Sequence, residues 1–342
     1  MKHVAADGGT SSHPTPFVLP YTLRPTGNRG QAIAAMNTQR LPGHSHASGK
    51  LAGRLWVLAA ALLWSSSGLF VKAGAFDDWS DSVRGPMMAF WRAAFAAMVL
   101  LPMVRRPRWN RCLVPLTLLF TVMCITYLTA MTLTTAANAI WLQATAPWWV
   151  FLLSVTLLRE PVARRDLVPL AFGVLGVSLI LGFEFGVFTP GQGARNMFGV
   201  VCGLGSGVGY AGVVMLMRRL RDENAAWLVA LCHVVAVAAM LPWVLCLGIR
   251  PTLVQLVVLA AFGILQMAVP YVFLIRGLRT ISGQEAVAIT LLEPVLMPLW
   301  VYLTGMETPN WWTVAGATLI LVGLVLRYAL APWLWAKPSA GE

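Results

Sequence analysis

Charge is what this chain has least of. Charged residues make up only 11% of it against 58% hydrophobic, with a mean hydropathy of +0.71. A soluble domain carries roughly a quarter charged residues, so a water-soluble body is excluded and lipid is the expected solvent. Cysteine is also sparse. Cys112, Cys124, Cys202, Cys232 and Cys246 fall within or at the ends of apolar segments without paired spacing. They read as buried free thiols and exclude a disulfide framework or a thiolate metal site. The apolar segments hold no HExxH pattern, no paired aspartates and no nucleophile–His–Asp set. Neither an enzyme nor a metal or other cofactor is therefore expected. The first 50 residues lack any apolar run long enough for a signal peptide. Rich in Gly, Pro, Ser, Thr and His, they bury too little to offset the entropy of ordering. Residues 1–52 are expected to be a disordered tail, with Met36 an alternative start, and 332–342 a second short tail.

What the chain does have is one pattern written twice. Asn138-Ala-Ile-Trp-Leu-Gln-Ala-Thr-Ala-Pro147, with Glu160 beyond it, returns 147 residues later as Glu285-Ala-Val-Ala-Ile-Thr-Leu-Leu-Glu-Pro294 with Glu307. Gly176 and Gly323 match at the same offset, and Gly53, Trp64 and Lys72 align with Gly199, Tyr210 and Arg218 at 146. Crossing a bilayer takes about 20 mostly apolar residues. Ten segments qualify: Leu55–Ala73, Pro86–Val104, Cys112–Leu133, Asn138–Leu158, Leu167–Gly182, Met197–Met217, Trp227–Leu247, Leu253–Ile275, Ala286–Gly305 and Trp312–Leu330. Most of the 25 basic residues fall in the N-terminal tail, the alternate loops and the C-terminus. The loops on the other side carry Asp77, Asp78 and Asp81. By the positive-inside rule both termini are cytoplasmic. The net charge of +12 is a topology signal and not a nucleic-acid footprint. Five helices per copy is an odd number, so the second copy enters from the opposite side. The expected fold is an all-α polytopic membrane protein of two inverted five-helix repeats, over residues 53–186 and 187–331.

The run Tyr127-Leu-Thr-Ala-Met-Thr-Leu-Thr-Thr-Ala-Ala-Asn-Ala, Pro147, Leu158-Arg-Glu160 and the glycine-bearing fifth segment resemble an EamA domain. Leu278-Arg-Thr-Ile-Ser-Gly-Gln-Glu-Ala, Leu292-Glu-Pro294, Gly305-Met-Glu307 and Gly323 resemble its second copy. The resemblance is to the drug/metabolite transporter superfamily and covers roughly residues 53–330. It implies cytoplasmic termini in the cell (inner) membrane and a central cavity lined by helices 1–4 and 6–9, with 5 and 10 peripheral. It also implies alternating access for small metabolites or amphipathic compounds, often export of amino acids, and it implies no particular substrate.

An ionisable group inside a span costs about 2.5–3.5 kcal/mol on insertion scales and marks a functional candidate. Arg92, His233 and Glu293 lie clearly inside. At 1.5 Å per residue, Arg92 is expected roughly 9 Å from the outer face, His233 roughly 9 Å and Glu293 roughly 10 Å from the inner face. Arg92 and Glu293 are then too far apart in depth to pair, whereas His233 and Glu293 share a level. Arg92 is read as holding a substrate carboxylate, with His233 and Glu293 lining the inner half. The alternative stays open that Arg92 caps carbonyls, His233 packs as a polar ring and Glu293 is structural. Asn138, Trp141, Thr145 and Trp148 fall on one helical face. Gln143 and Thr290 occupy matched positions, as do the aromatics Trp64 and Tyr210. Pro147, Pro270, Pro294 and Pro298 each remove a backbone hydrogen bond, and Pro147 with Pro294 are read as paired bending points. The expected partners are a small-molecule substrate and membrane lipid, with no nucleic acid; monomer or homodimer stays open. So does the coupling, by facilitated exchange or by a proton through Glu293 or His233. The expected function is secondary transport of an amino acid or similar zwitterionic or neutral solute, with export preferred. The alternative is proton-coupled efflux of amphipathic drugs. It is weakened by the absence of any acid in Leu55–Ala73, because the superfamily's small four-helix members depend on a glutamate there. A phosphate-ester carrier needs several cavity cations, and only Arg92 is available.

Overall fold

In the computed structural model of the chain, the described residues are 43–105, 107–156, 164–186 and 193–327. The expected tails, apart from 43–52, and Glu160 lie outside them. Among the described residues nine helices are long and apolar enough to cross a membrane: α1 Gly49–Val71, α2 Asp81–Met103, α3 Leu113–Leu133, α4 Ala136–Thr156, α5 Leu167–Glu184, α6 Ala194–Arg219, α7 Ala225–Leu247, α8 Leu253–Gly277 and α9 Glu285–Leu303. A shorter apolar helix, α10 Trp311–Val325, completes ten. In lipid every backbone group must be satisfied within the segment, and no strand occurs among the described residues.

Contacts at the helix ends show the inversion. Lys72, at the end of α1, pairs with Glu307 after α9, and Arg195 at the start of α6 pairs with Asp81 at the start of α2 (2.6 Å). At the other end Arg54, in the first turns of α1, pairs with Glu285 at the start of α9. There too Asn224, the N-cap of α7, donates to the Arg105 carbonyl (3.0 Å). α1 thus starts at the Arg54 end and α6 at the Lys72 end.

The repeat extends to local detail. The Thr135 hydroxyl accepts from the Asn138 N–H to cap α4, and Ser282, 147 positions on, caps α9 by accepting from Glu285 (3.1 and 3.2 Å). Both helices then break, at Ala144–Thr145 and at Leu291, three residues before a proline. Pro147 and Pro294 have no N–H for the carbonyls of Gln143 and Thr290, and their rings crowd those carbonyls. Two further irregularities have equally local causes. α1 is interrupted at Ser66, where Ser65 and Ser66 hydroxyls donate back to the carbonyls of Leu62 and Leu63 (2.7 and 2.6 Å) and bend the helix. α8 contains a π-helical stretch, Phe262–Ala268, closed by Val269 N–H on the Ile264 carbonyl just before Pro270.

The expected start of α2 is corrected. It begins at Asp81 rather than Pro86, with an acid in its first turn, where it favours the helix dipole. Pro86 lies inside the helix.

α3 packs along α6, α2 against α7, and α5 against α10. The matched glycines serve the last of these pairs. A Cβ on Gly176 would stand 2.5 Å from the Gly316 carbonyl oxygen, and one on Gly323 2.8 Å from that of Pro169. Small residues let these two backbones meet where no hydrophobic effect drives helices together. Gly176→Leu is expected to cost about 1–3 kcal/mol by overpacking, read as a lower thermal midpoint in detergent. Gly205→Leu, with nothing within 4 Å of the added carbon, serves as the unaffected control.

Candidate functional site

The helix irregularities surround one polar cluster in the middle of the bundle. Arg92 is at its centre. Because α2 starts at Asp81, Arg92 is the midpoint of the helix, roughly 16 Å from either end at 1.5 Å per residue. The expected shallow position in the outer half is therefore corrected, and with it the leaflet separation from Glu293. Arg92 is 3% exposed. Its guanidinium lies 5.2 Å from the Phe262 ring centroid, and Nη1 donates to Gln266 Oε1 across a stretched 3.5 Å. The Cys124 sulfur is a further neighbour. No ion pair involves Arg92 among the described residues. Gln266 Nε2 donates in turn to the Trp64 carbonyl (3.2 Å), beside the α1 break.

α9 closes the other side. The Ser67 hydroxyl and Tyr127 Oη both contact Met297 Sδ (3.1 and 3.6 Å), and Trp300 Nε1 donates to Ser65 Oγ (2.9 Å). Glu293 is one turn before Met297 and so shares its inward face. It is half-buried and within electrostatic reach of Arg92 and Tyr127, with no ion pair to Arg92.

His233 does not meet Glu293 in the contacts it makes. It packs against Phe120 (4.9 Å between centroids) and Tyr271 (6.3 Å), and Nδ1 hydrogen-bonds the Val229 carbonyl (2.8 Å). Its Nε2 is buried without a hydrogen-bond partner among the described residues. Tyr271 also stands edge-on to Trp64 (5.3 Å) and within electrostatic reach of Tyr210, which is itself exposed. Trp64, Arg92, Tyr210, His233 and Glu293 thus gather around the bundle centre.

Helix 4 departs from the expectation. Asn138 is fully buried and fully engaged: Nδ2 donates to Thr134 (3.1 Å) and Glu184 (2.9 Å), and Oδ1 accepts from Thr313 (2.8 Å). Trp312 Nε1 adds a donor to the same Glu184 oxygen (2.9 Å). Asn138 therefore joins α4 to α5 and α10, with both amide hydrogens and its oxygen engaged in that seam. Trp148 lies against Gly173 of α5. Trp141 lines a perimeter cavity of about 300 Å³ between α4, α9 and α10, with Pro298, Tyr302 and Thr313. Much of the aromatic and polar stripe read as cavity wall is instead helix packing, since burial against a neighbouring helix selects the same spacing. Gln143 and Thr290 sit beside the α4 and α9 breaks, and the Thr290 hydroxyl donates to the Val287 carbonyl (2.9 Å).

The Lys72 end is held together by a polar network. Lys72 Nζ pairs with Glu307 and donates to the Thr134 carbonyl (2.9 Å), while Glu307 Oε2 accepts the Ala136 N–H at the start of α4 (2.8 Å). Burial pushes the Lys72 pKa down, and Glu307 beside it acts in the opposite direction. Arg84 donates to the carbonyls of Val71 and Ala73 (2.9 and 3.0 Å), and Gln255 to Ala75 O and Asp78 Oδ1 (2.9 and 2.8 Å).

The sequence reading missed Gln266, Tyr271, Tyr127 and the Lys72–Glu307 pair. Gln266 carried a signal: it is a carboxamide deep inside a mostly apolar helix, four residues before Pro270, whereas the helix's other carboxamide, Gln255, stands in its first turn. Among the described residues no group of three or more His, Cys, Asp or Glu is placed to hold a metal.

Inverted helical repeats enclosing a buried polar centre define the class, a polytopic membrane transporter. The sequence model of the EamA-like transporter family matches residues 51–182 and 197–329, and the chain belongs to that family. An "uncharacterized transporter" of Archaeoglobus fulgidus is 28% identical over 279 residues, covering 81% of this chain and 96% of its own. A solved crystal structure with 18% identity matches 84% of this chain and 99% of its own at a TM-score of 0.57, a likeness of fold.

Asn138→Ala would leave Glu184 and Thr313 short of buried partners. It is expected to destabilise by about 1–3 kcal/mol, seen as a lower thermal midpoint and reduced yield from the membrane.

Proposed function

We propose that the protein is a secondary carrier for a small zwitterionic or neutral metabolite of amino-acid type. Arg92 receives the carboxylate, Glu293 faces the amine, and Trp64, Tyr271 and Tyr210 form the aromatic wall. The carrying observation is a guanidinium buried at mid-bundle whose hydrogen bond to the Gln266 amide is stretched and which has no carboxylate partner among the described residues, near a half-buried Glu293 that forms no ion pair among them either. A basic and an acidic group that feel each other without pairing match a ligand carrying both a carboxylate and an amine. A buried charge is costly unless paired, so a carboxylate that binds bidentately relieves the arginine.

The basic residues support a cytoplasmic Arg54 end. The Lys72 end then faces outward and is the closed one, while the half-buried Trp64, Tyr271 and Glu293 suit access from the cytoplasm. An inward-facing state admits a cytoplasmic substrate, the first step of export. Pro147 and Pro294, beside matched breaks, serve as the bending points, and the Lys72–Glu307 pair must part when the outer end opens.

Counterflow of labelled amino acids in proteoliposomes, with and without a pH gradient, is the direct test. Exchange of a zwitterion is expected, and Arg92→Ala should reduce it by at least tenfold without lowering expression. Silence across the amino acids, with uptake of lipophilic cations instead, would overturn the reading. A second expectation concerns the closed end. In a background lacking the five native cysteines, Ser67→Cys should react slowly with an external maleimide and several-fold faster when Glu307→Gln is added.

A further inference from the structure

We propose that Gln266 is a built-in stand-in for the substrate's carboxylate, occupying Arg92 in the empty site and setting the threshold a ligand must exceed to bind. The proposal rests on the reading of Arg92 as the carboxylate-binding group. Gln266 is 3% exposed, and its carboxamide spans two helices, accepting from Arg92 Nη1 at 3.5 Å and donating to the Trp64 carbonyl at 3.2 Å. Both contacts are longer than the usual 2.9–3.0 Å for N–H···O bonds, so neither locks the side chain. A guanidinium offers five donors, and a neutral amide oxygen satisfies one of them poorly. A carboxylate offers two charged oxygens in matching geometry, and charge-assisted pairs are roughly twice as strong as neutral ones. Displacement of the amide by a carboxylate is therefore downhill, while a neutral ligand gains little by it.

The backbone is arranged to let the amide move. Gln266 lies in the π-helical stretch Phe262–Ala268, and Pro270 has no N–H to offer its carbonyl. Such π segments are weakly held and recur at functional sites. Phe262, whose ring flanks the same guanidinium, lies in the same stretch. A shift of this one turn moves both groups that cover Arg92. The released carboxamide keeps the Trp64 carbonyl at the α1 break within its range, which links ligand arrival to the irregular part of α1.

The sign of one substitution decides between a stand-in and a mere support. The full chain, purified in detergent, is treated with phenylglyoxal, and modification of Arg92 is followed by peptide mass spectrometry. Exposed Arg221 is the internal standard, and acetate against equal sodium chloride is the carboxylate probe. Without its competitor, the Gln266→Ala protein should be protected by acetate at a concentration about fivefold lower than wild type, the equivalent of one modest hydrogen bond. Gln266→Glu should suppress Arg92 modification without acetate by filling the site permanently. Protection in both proteins at equal or higher acetate for Gln266→Ala overturns the stand-in and leaves the carboxylate reading intact. Absence of protection in either protein sinks the carboxylate reading and this inference with it.

Discussion

A guanidinium at the mid-depth of a bundle bathed in lipid has to be enclosed by protein, and much of this structure is organised around how Arg92 is enclosed. Facing hydrocarbon it would be prohibitively unfavourable; at the midpoint of α2 it is too deep to reach either membrane surface by extending its side chain. Helices α1, α3, α7, α8 and α9 therefore present groups toward it: the Trp64 carbonyl by way of Gln266, Cys124 and Tyr127, His233, Phe262 and Gln266, and Glu293. What they do not supply is a full set of strong acceptors. That shortfall distinguishes Arg92 from the Lys72–Glu307 ion pair, where the ammonium has both a carboxylate and a carbonyl.

Departures from regular helix are concentrated in the elements that enclose this centre. The serine run bends α1, the π turn displaces α8, and proline-linked breaks interrupt α4 and α9 at matching positions. By contrast α5 and α10 are fitted to each other through glycine-to-backbone contacts and tied to α4 by the Asn138–Glu184–Thr313 network. The bundle thus divides into a closely packed flank and an irregular core.

Part of the candidate site is legible in the sequence because intramembrane polarity is so costly that each charged residue announces itself. Arg92, His233 and Glu293 become candidates that way, and Trp64 and Tyr210 by repeat matching. Asn138 makes buried hydrogen bonds between helices, while Trp141 on the same face lines a cavity between α4, α9 and α10. A polar and aromatic stripe at helical spacing is required equally by a cavity wall and by a tight helix–helix seam, and nothing local tells them apart. Depth shifts for a local reason: Pro86 is a plausible helix start by sequence, but α2 begins at Asp81 and carries the proline in its first turns.

By itself the sequence determined the helices, the duplication, the inversion that follows from five spans per copy, and which ionisable groups lie within lipid. These rest on composition and period, which are properties of one segment at a time. The tertiary structure alone decided which faces meet: that Glu184 receives Asn138, that His233 packs with Tyr271 and Phe120 rather than with Glu293, and that Gln266 reaches Arg92 from 174 positions away. Within lipid all apolar faces are nearly equivalent, so helix rotation and pairing are set by small residues, buried polar partners and proline-shifted turns acting across the bundle.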